Sequence, residues 1–365
     1  MLNLWEGGIE NAMKVLVIGP SPTRSKGGMA TVIEEIEKDK RLNEQFDIDI
    51  YESYIDGSKF VRFFYSVYAF IKFYLTKRNY DLYHVHVASR GSTFRKGHYI
   101  DVIKKWNKKV ILHVHGAQYL VFYDEISEKK KKRVVEILKK ADMVIALSQD
   151  WKNKFDERFG LTNCRVLENG IDMERLAPAI QEPKIHQNAF VTLGRLGQRK
   201  GTYDLVEAVN IAHETVPNIK CYLAGDGDVE KIKELVKSKN LEDNIEVVGW
   251  ANFDKKLELL QSVSTVVLPS YNEGLPMSIL EGMACGKAIV STTVGAIPEV
   301  INEERGILVK AGDVQALSEA LVECAQNLTK VEKMSMANID KIQKQFSMDV
   351  MHDQLSKYYE SVSKS

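Results

Sequence analysis

Long apolar runs, paired cysteines and an excess of either charge are all missing from this chain of 365 residues. No uncharged apolar stretch reaches the ~18 residues that a membrane-crossing helix needs, so no transmembrane helix is expected. The four cysteines, Cys164, Cys221, Cys285 and Cys324, are scattered with no C-x-x-C. That argues against a disulfide framework and a zinc site, and fits a reducing cytoplasm. Fifty basic side chains cancel fifty acidic ones, so the totals carry no footprint for nucleic acid. The start lacks the basic and apolar segments of a signal peptide. We read residues 1–12 as an N-terminal extension, with Met13 as an alternative start. There is no internal repeat, no low-complexity tract and no G-x-G-x-x-G fingerprint.

What is present is a soluble globular composition, 44% hydrophobic and 27% charged, long enough for two domains. The most informative stretch is Ser270 to Ala284, SYNEGLPMSILEGMA. Thr265-Val266-Val267-Leu268 feeds into it and Ala288-Ile289-Val290 leaves it, which reads as strand, loop, helix, strand in a parallel βαβ unit. Pro276 suits the first helical turn and Gly286 the position after the last. Glu273 then sits in the loop at a strand's carboxyl end, where open α/β sheets bind ligands. Glu281 sits on the helix. Free amides of Gly274, Leu275 and Met277 at the helix start suit an anion. Together these groups fit a ligand that carries both phosphates and hydroxyls.

Other segments follow the same plan. Val15–Ile18 is a buried strand, and the Gly27-Gly28 pair after it opens a helix, allowing close approach of backbone to phosphate. Phe46–Tyr51 alternates as a second strand. Lys59–Leu75 is aromatic on nearly every face with cations spaced along it. Two readings apply: a helix resting on anionic lipid, or one packed against the sheet, and its all-round apolar character favours packing. The runs Lys104–Lys109 and Lys129–Arg133 read as solvated faces that also suit a membrane surface. His84-Val85-His86 and His113-Val114-His115 each place two imidazoles on one face of a strand. No acidic or cysteine ligand stands at matching spacing, so core histidines are expected rather than a metal site. Ser89–Lys96 reads as a polar loop whose Arg90, Arg95 and Lys96 suit a phosphate-bearing partner. Leu176–Gln187 reads as a linker. Beyond it, Arg195 and Lys200 bracket a turn from strand to helix, where two cations and helix amides suit a diphosphate. Loops at Gly225 and at Trp250-Ala251 end two further strands.

The Glu273–Glu281 string, with Gly-Leu-Pro directly after the first Glu, resembles the signature of retaining glycosyltransferases of the GT-B fold, family 4, of the bacterial surface-polysaccharide type. Gly-Arg-Leu at 194–196 with Lys200-Gly201, and Asn169-Gly170-Ile171-Asp172, match the same family. The resemblance implies an α/β protein with two Rossmann-like domains facing each other across a cleft. It places an N-terminal acceptor-binding domain at 13–177, a linker at 178–187, a nucleotide-sugar domain at 188–345 and a crossing-back helix at 346–365.

It also implies roles for particular residues. Arg195 and Lys200 would grip the leaving diphosphate, Glu281 the ribose and Glu273 the donor sugar, with His115 at the reacting carbon. Gly27, Gly28, Gly194, Gly225, Trp250, Ala251, Gly274, Leu275, Pro276 and Met277 would line the donor site. His86, Arg90, Arg95 and Lys96 are candidates for the acceptor side. No metal and no cofactor beyond the nucleotide sugar, a UDP-sugar by preference, are expected. The other partners expected are a saccharide acceptor, lipid-linked, and the cytoplasmic face of the inner membrane. The alternatives are a soluble small-molecule acceptor, a sugar-nucleotide epimerase on the same fold and a non-catalytic nucleotide-binding module.

Overall fold

A computed structural model describes residues 12–25, 27–116, 118–181 and 186–364. Most of the extension expected at 1–12 and the middle of the linker lie outside the described residues. Among the described residues, twelve strands form two six-stranded, fully parallel sheets. The first takes β1 (Lys14–Pro20), β2 (Asp47–Tyr54), β3 (Leu82–Val87), β4 (Lys109–Val114), β5 (Met143–Ala146) and β6 (Cys164–Val166), in the order 2-1-3-4-5-6. The second takes β7 (His186–Leu193), β8 (Lys220–Ala224), β9 (Ile245–Gly249), β10 (Val263–Leu268), β11 (Ala288–Thr292) and β12 (Gly306–Val309), in the order 12-11-10-7-8-9. Strands covered by helices on both faces lose their polar–apolar alternation, and every residue of β3, β10 and β11 is buried.

Both strand orders contain one reversal. It falls between β1 and β3 in the first sheet and between β7 and β10 in the second. At such a point the crossovers run to opposite sides and leave a crevice at the carboxyl ends, the usual ligand position in open sheets.

The chain divides into two compact units, one holding the chain up to Glu168 together with residues from Met351 on, the other holding Asn169–Val350. These limits differ from those read in the sequence. Half of the supposed linker is a helix, Met173–Gln181, which carries Pro178 inside it. It packs on the helix Phe253–Ser262, and Arg175 lies 4.1 Å over the Phe253 ring. The terminal helix Met348–Lys364 docks on the first unit through the Tyr359 hydroxyl, 2.9 Å from His84 Nδ1, and through Tyr358, whose hydroxyl donates to the Val166 carbonyl at 2.6 Å.

The aromatic helix, Lys59–Thr76, forms where expected but is not packed in as expected. Only Ala69 and Phe73 are buried, with Phe73 fitted against Tyr51, Tyr83, Tyr99 and Trp106. Tyr65 and Phe70 pack partly against the core, and most of the remaining apolar side chains are open, from Phe60 at 77% exposure to Leu75 at 72%. The helix flanks a single sheet face, so one side suffices for the core and the remaining aromatics are surplus to it.

Candidate active site

In the second unit the crevice between β7 and β10 gathers the groups singled out from the sequence. Lys200 ends a short 3₁₀ turn, Gln198–Lys200, and its ammonium lies 2.5 Å from Glu273 Oε1. Ser270 Oγ donates to the same oxygen at 2.9 Å, and Arg199 stands 3.5 Å away. A nearly buried ion pair holds its place only when its remaining capacity is met, and Ser270 and Arg199 do that here.

The loop that carries Glu273 is wired to its neighbours. The Tyr271 amide donates to the Arg199 carbonyl at 2.9 Å, Arg199 donates to the Asn272 carbonyl at 3.0 Å, and Thr292 Oγ1 donates to the Ser270 carbonyl at 2.6 Å. Gly295 closes the clamp. Its φ is +59°, and a β-carbon there would lie 2.0 Å from the Glu273 carbonyl oxygen, so only glycine fits.

From this loop the helix Met277–Ala284 rises, with Pro276 as its N-cap rather than inside its first turn, and Gly286 follows its end at φ +63°. Among the described residues, the amides of Gly274, Leu275 and Met277 donate to no protein group. Free donors, the positive end of the helix and Lys200 are groups of the kind that favour an anion. Glu281, one turn along, is nearly buried and meets Lys256 Nζ at 2.5 Å.

Arg195 stands apart from the Lys200 pair. Its side chain is 69% exposed against 14% for Lys200, and it faces Asp226 at 3.5 Å. Gly194 and Gly225 bring their loops into backbone contact, since a β-carbon on Gly225 would fall 1.7 Å from the Gly194 carbonyl oxygen. Trp250 is half exposed just past β9, beside a partly buried Ala251.

In the first unit His115 directly follows β4, with its Nε2 2.8 Å from His86 Nδ1. Burial pushes His115 and His84 down to about 3 and holds His86 and His113 well below the ordinary histidine value, so the stack is neutral. Ring nitrogens of His84, His86 and His113 lie within 4.8 Å of one another, the spacing a metal ion would need. His84, however, already engages Tyr359 and His113 through its two nitrogens. The register sets this stack, because β3 and β4 pair His86 with His113.

The acceptor-side candidates separate. Residues 91–105 are a helix and not the expected polar loop, and Ser92, Arg95 and Lys96 share its face at helical spacing. With Gly27 and Gly28 they line a cavity of 640 Å³. Arg90 and His86 do not line it. Arg90 precedes the helix and pairs with Glu125 at 2.9 Å, and His86 is fully buried in β3.

Comparisons with known proteins bear on the family and the fold. Residues 26–175 match the family model described as Glycosyltransferase Family 4, and residues 187–327 the one described as Glycosyl transferases group 1. The chain belongs to the group 1, family 4 glycosyltransferases. This transferase is 24% identical over 292 residues to the amylovoran biosynthesis glycosyltransferase AmsK of Erwinia amylovora, covering 78% of this chain and 70% of that one. It is 23% identical over 290 residues to the putative colanic acid biosynthesis glycosyltransferase WcaL of Escherichia coli, covering 76% and 69%. Its fold matches that of HepE from Anabaena, solved with UDP and glucose, at a TM-score of 0.75 and 17% identity, over 96% of this chain and all of that one. The two-sheet architecture is thus that of the GT-B enzymes.

Sequence reasoning missed Lys256, Arg199 and Ser270. Lys256 lies 25 residues from its partner on another helix, so no local pattern announces it. Arg199 and Ser270 neighbour residues that were singled out, but their roles depend on how two loops meet.

Proposed function

We propose that this transferase is a retaining enzyme. It moves a hexose or N-acetylhexosamine from a nucleotide-diphosphate sugar, UDP-linked by preference, to a hydroxyl of a lipid-linked saccharide in surface-polysaccharide assembly. The observation that carries the reading is the crevice between β7 and β10, where Lys200, Glu273 and three free amides stand together. The bond from the anomeric carbon to the diphosphate breaks as the bond to the acceptor oxygen forms on the same face. The acceptor's proton passes to a donor phosphate oxygen. Lys200, Arg195 and the amides stabilise the charge left on the diphosphate, a fixed-electrostatics task that needs no divalent metal. Glu273 holds the sugar hydroxyls, Glu281 the ribose, Trp250 and Ala251 the base. His115 presents its carbonyl or neutral ring at the reacting sugar.

Among the described residues no helix is long and apolar enough to cross a membrane. The open aromatic helix supports peripheral contact with the inner membrane instead. The test is thermal stabilisation by UDP-, GDP-, ADP- and CMP-sugars with and without EDTA. A shift with one nucleotide class, unchanged by EDTA and lost in Glu281→Ala, is the expected result. No shift with any of them would overturn the reading.

A further inference from the structure

The 640 Å³ cavity of the first unit lies at the reversal point of its sheet, beyond the carboxyl ends of β1, β2 and β3. Its wall is unusual in charge. Among the described lining residues, Lys59, Arg62, Arg95 and Lys96 face one acid, Asp56. Among the described residues no salt bridge joins any of these four cations to a carboxylate, although Asp56 acts electrostatically on Arg62.

Lys96 is 2% exposed. Its ammonium is hydrogen-bonded to Ser53 and lies 5.4 Å from the Tyr99 ring centre. Burial holds it well below the ordinary lysine value, and the charged group acting on it is another cation, Arg95. Arg95 stacks 5.1 Å over Tyr54, the residue whose hydroxyl engages Arg62. A buried cation without a counter-charge is costly unless something else brings the negative charge. Two helices also open onto the cavity at Gly28 and Gly91, both without a side-chain cap.

The same cavity is walled by the first turns of the aromatic helix, through Lys59, Arg62, Phe63 and Ser66. From there Phe60, Phe64, Tyr68, Ile71 and Leu75 run along one side of that helix at helical spacing, all exposed. The stripe is about 23 Å long at the rise of an α-helix. The helix has cations at Lys59, Arg62 and Lys72 and no acidic residue.

We propose that the cavity binds the phosphate or diphosphate of an amphiphilic acceptor through Arg62, Arg95 and Lys96, and that the acceptor's hydrocarbon chain leaves past Phe63 along the exposed stripe. The proposal rests on the reading of this chain as a transferase with a lipid-linked acceptor, and it names the part of the acceptor that is gripped. Phosphate supplies the counter-charge that Lys96 lacks. The stripe removes from water the chain that a soluble sugar phosphate would not have.

The test is co-sedimentation of the full chain with phosphatidylcholine vesicles. The vesicles are plain, doped with a long-chain prenyl phosphate, doped with the parent prenol, or doped with phosphatidylglycerol at the same charge. Binding to prenyl-phosphate vesicles is expected to exceed binding to the other three by roughly tenfold or more. Arg62→Gln with Arg95→Gln should abolish that preference and leave plain-vesicle binding in place. Phe60→Ser with Phe64→Ser should weaken binding to every vesicle. Equal binding to prenyl phosphate and phosphatidylglycerol would overturn the proposal in favour of a merely anionic surface. A thermal shift with inorganic pyrophosphate, lost in the arginine variants but without any vesicle preference, would overturn the lipid half. UDP-induced stabilisation of each variant is the control. If it persists while the vesicle preference is absent, the acceptor proposal fails and the donor reading stands; if neither UDP nor any other nucleotide of the panel stabilises the wild type, the donor reading itself fails.

Discussion

Lys256 and Glu281 meet at 2.5 Å, so the carboxylate proposed for the ribose has a cationic partner within the protein itself. Both side chains are largely buried. Removing Lys256 leaves a desolvated carboxylate without its charge partner, which costs about 1–3 kcal/mol. Lys256→Met is therefore expected to lower the unfolding free energy read from urea denaturation by that amount, and Glu281→Gln in the same background to recover most of it. A Lys256→Met protein as stable as the wild type would show that the pair is not held in solution.

Lys200 and Arg195 carry the same formal charge in very different settings. Lys200 is fixed and nearly buried against Glu273, whereas Arg195 is mostly exposed beside Asp226. Fixed charge in a low-dielectric site stabilises a leaving group more than mobile, solvated charge does. Lys200→Ala should lower kcat by roughly 10²–10³-fold, the usual loss for one preorganised donor. Arg195→Ala should cost clearly less. Steady-state rates with saturating donor, on variants verified as folded by circular dichroism, make the comparison; equal losses would reverse the ranking.

Gly295 and Gly249 offer a matched pair. Both have φ in the left-handed region, at +59° and +75°. A β-carbon on Gly249 meets open space, while one on Gly295 collides with the Glu273 carbonyl. Gly249→Ala should show only the ~1–2 kcal/mol of left-handed backbone strain. Gly295→Ala should lose that and displace the Glu273 loop, lowering the rate as well as the melting temperature. Retention of full activity in Gly295→Ala would mean that the loop does not position Glu273.

The histidine stack makes stability depend on pH. His84 is held near 3 in the folded chain, against an ordinary value of 6.5. The unfolded chain therefore takes up the proton first as pH falls. Its contribution is intact above about 6.5 and is lost toward 3, at up to ~1.4 kcal/mol per pH unit for each such histidine. His86 and His113 are displaced in the same direction. Urea midpoints measured from neutral to mildly acidic pH should fall steeply, and His113→Asn should flatten the slope. A flat profile in the wild type would contradict the neutral stack.

Much of this was legible in the sequence because it is local. The βαβ unit at 265–290, the strands and the glycine at 286 follow from short-range pattern, and these elements set where Glu273 and Glu281 lie. What was not legible depends on side-chain direction and on partners remote in the chain. Arg90 and Arg95 looked equivalent in a supposed loop, but helical geometry turns Arg95 to the cavity and leaves Arg90 to Glu125. The aromatic helix looked like core because composition reports how apolar a segment is and not how many of its faces find a neighbour. The supposed linker was misjudged for the same reason, since Pro178 suggests a break and only packing on the helix 253–262 shows the helix continuing.

The docking of the terminal helix has a consequence for the order in which the molecule is built. His84 receives the Tyr359 hydroxyl from a residue 275 positions later. During synthesis the ribosome delivers every strand of the first sheet, and then the whole of the contiguous second unit, before that partner emerges. The first unit must wait through this interval with one flank uncovered, exposing the site that Tyr359 and its neighbours later fill. The second unit, continuous from Asn169 to Val350, is free to reach its final form earlier. The half that begins first is thus the half that is finished last.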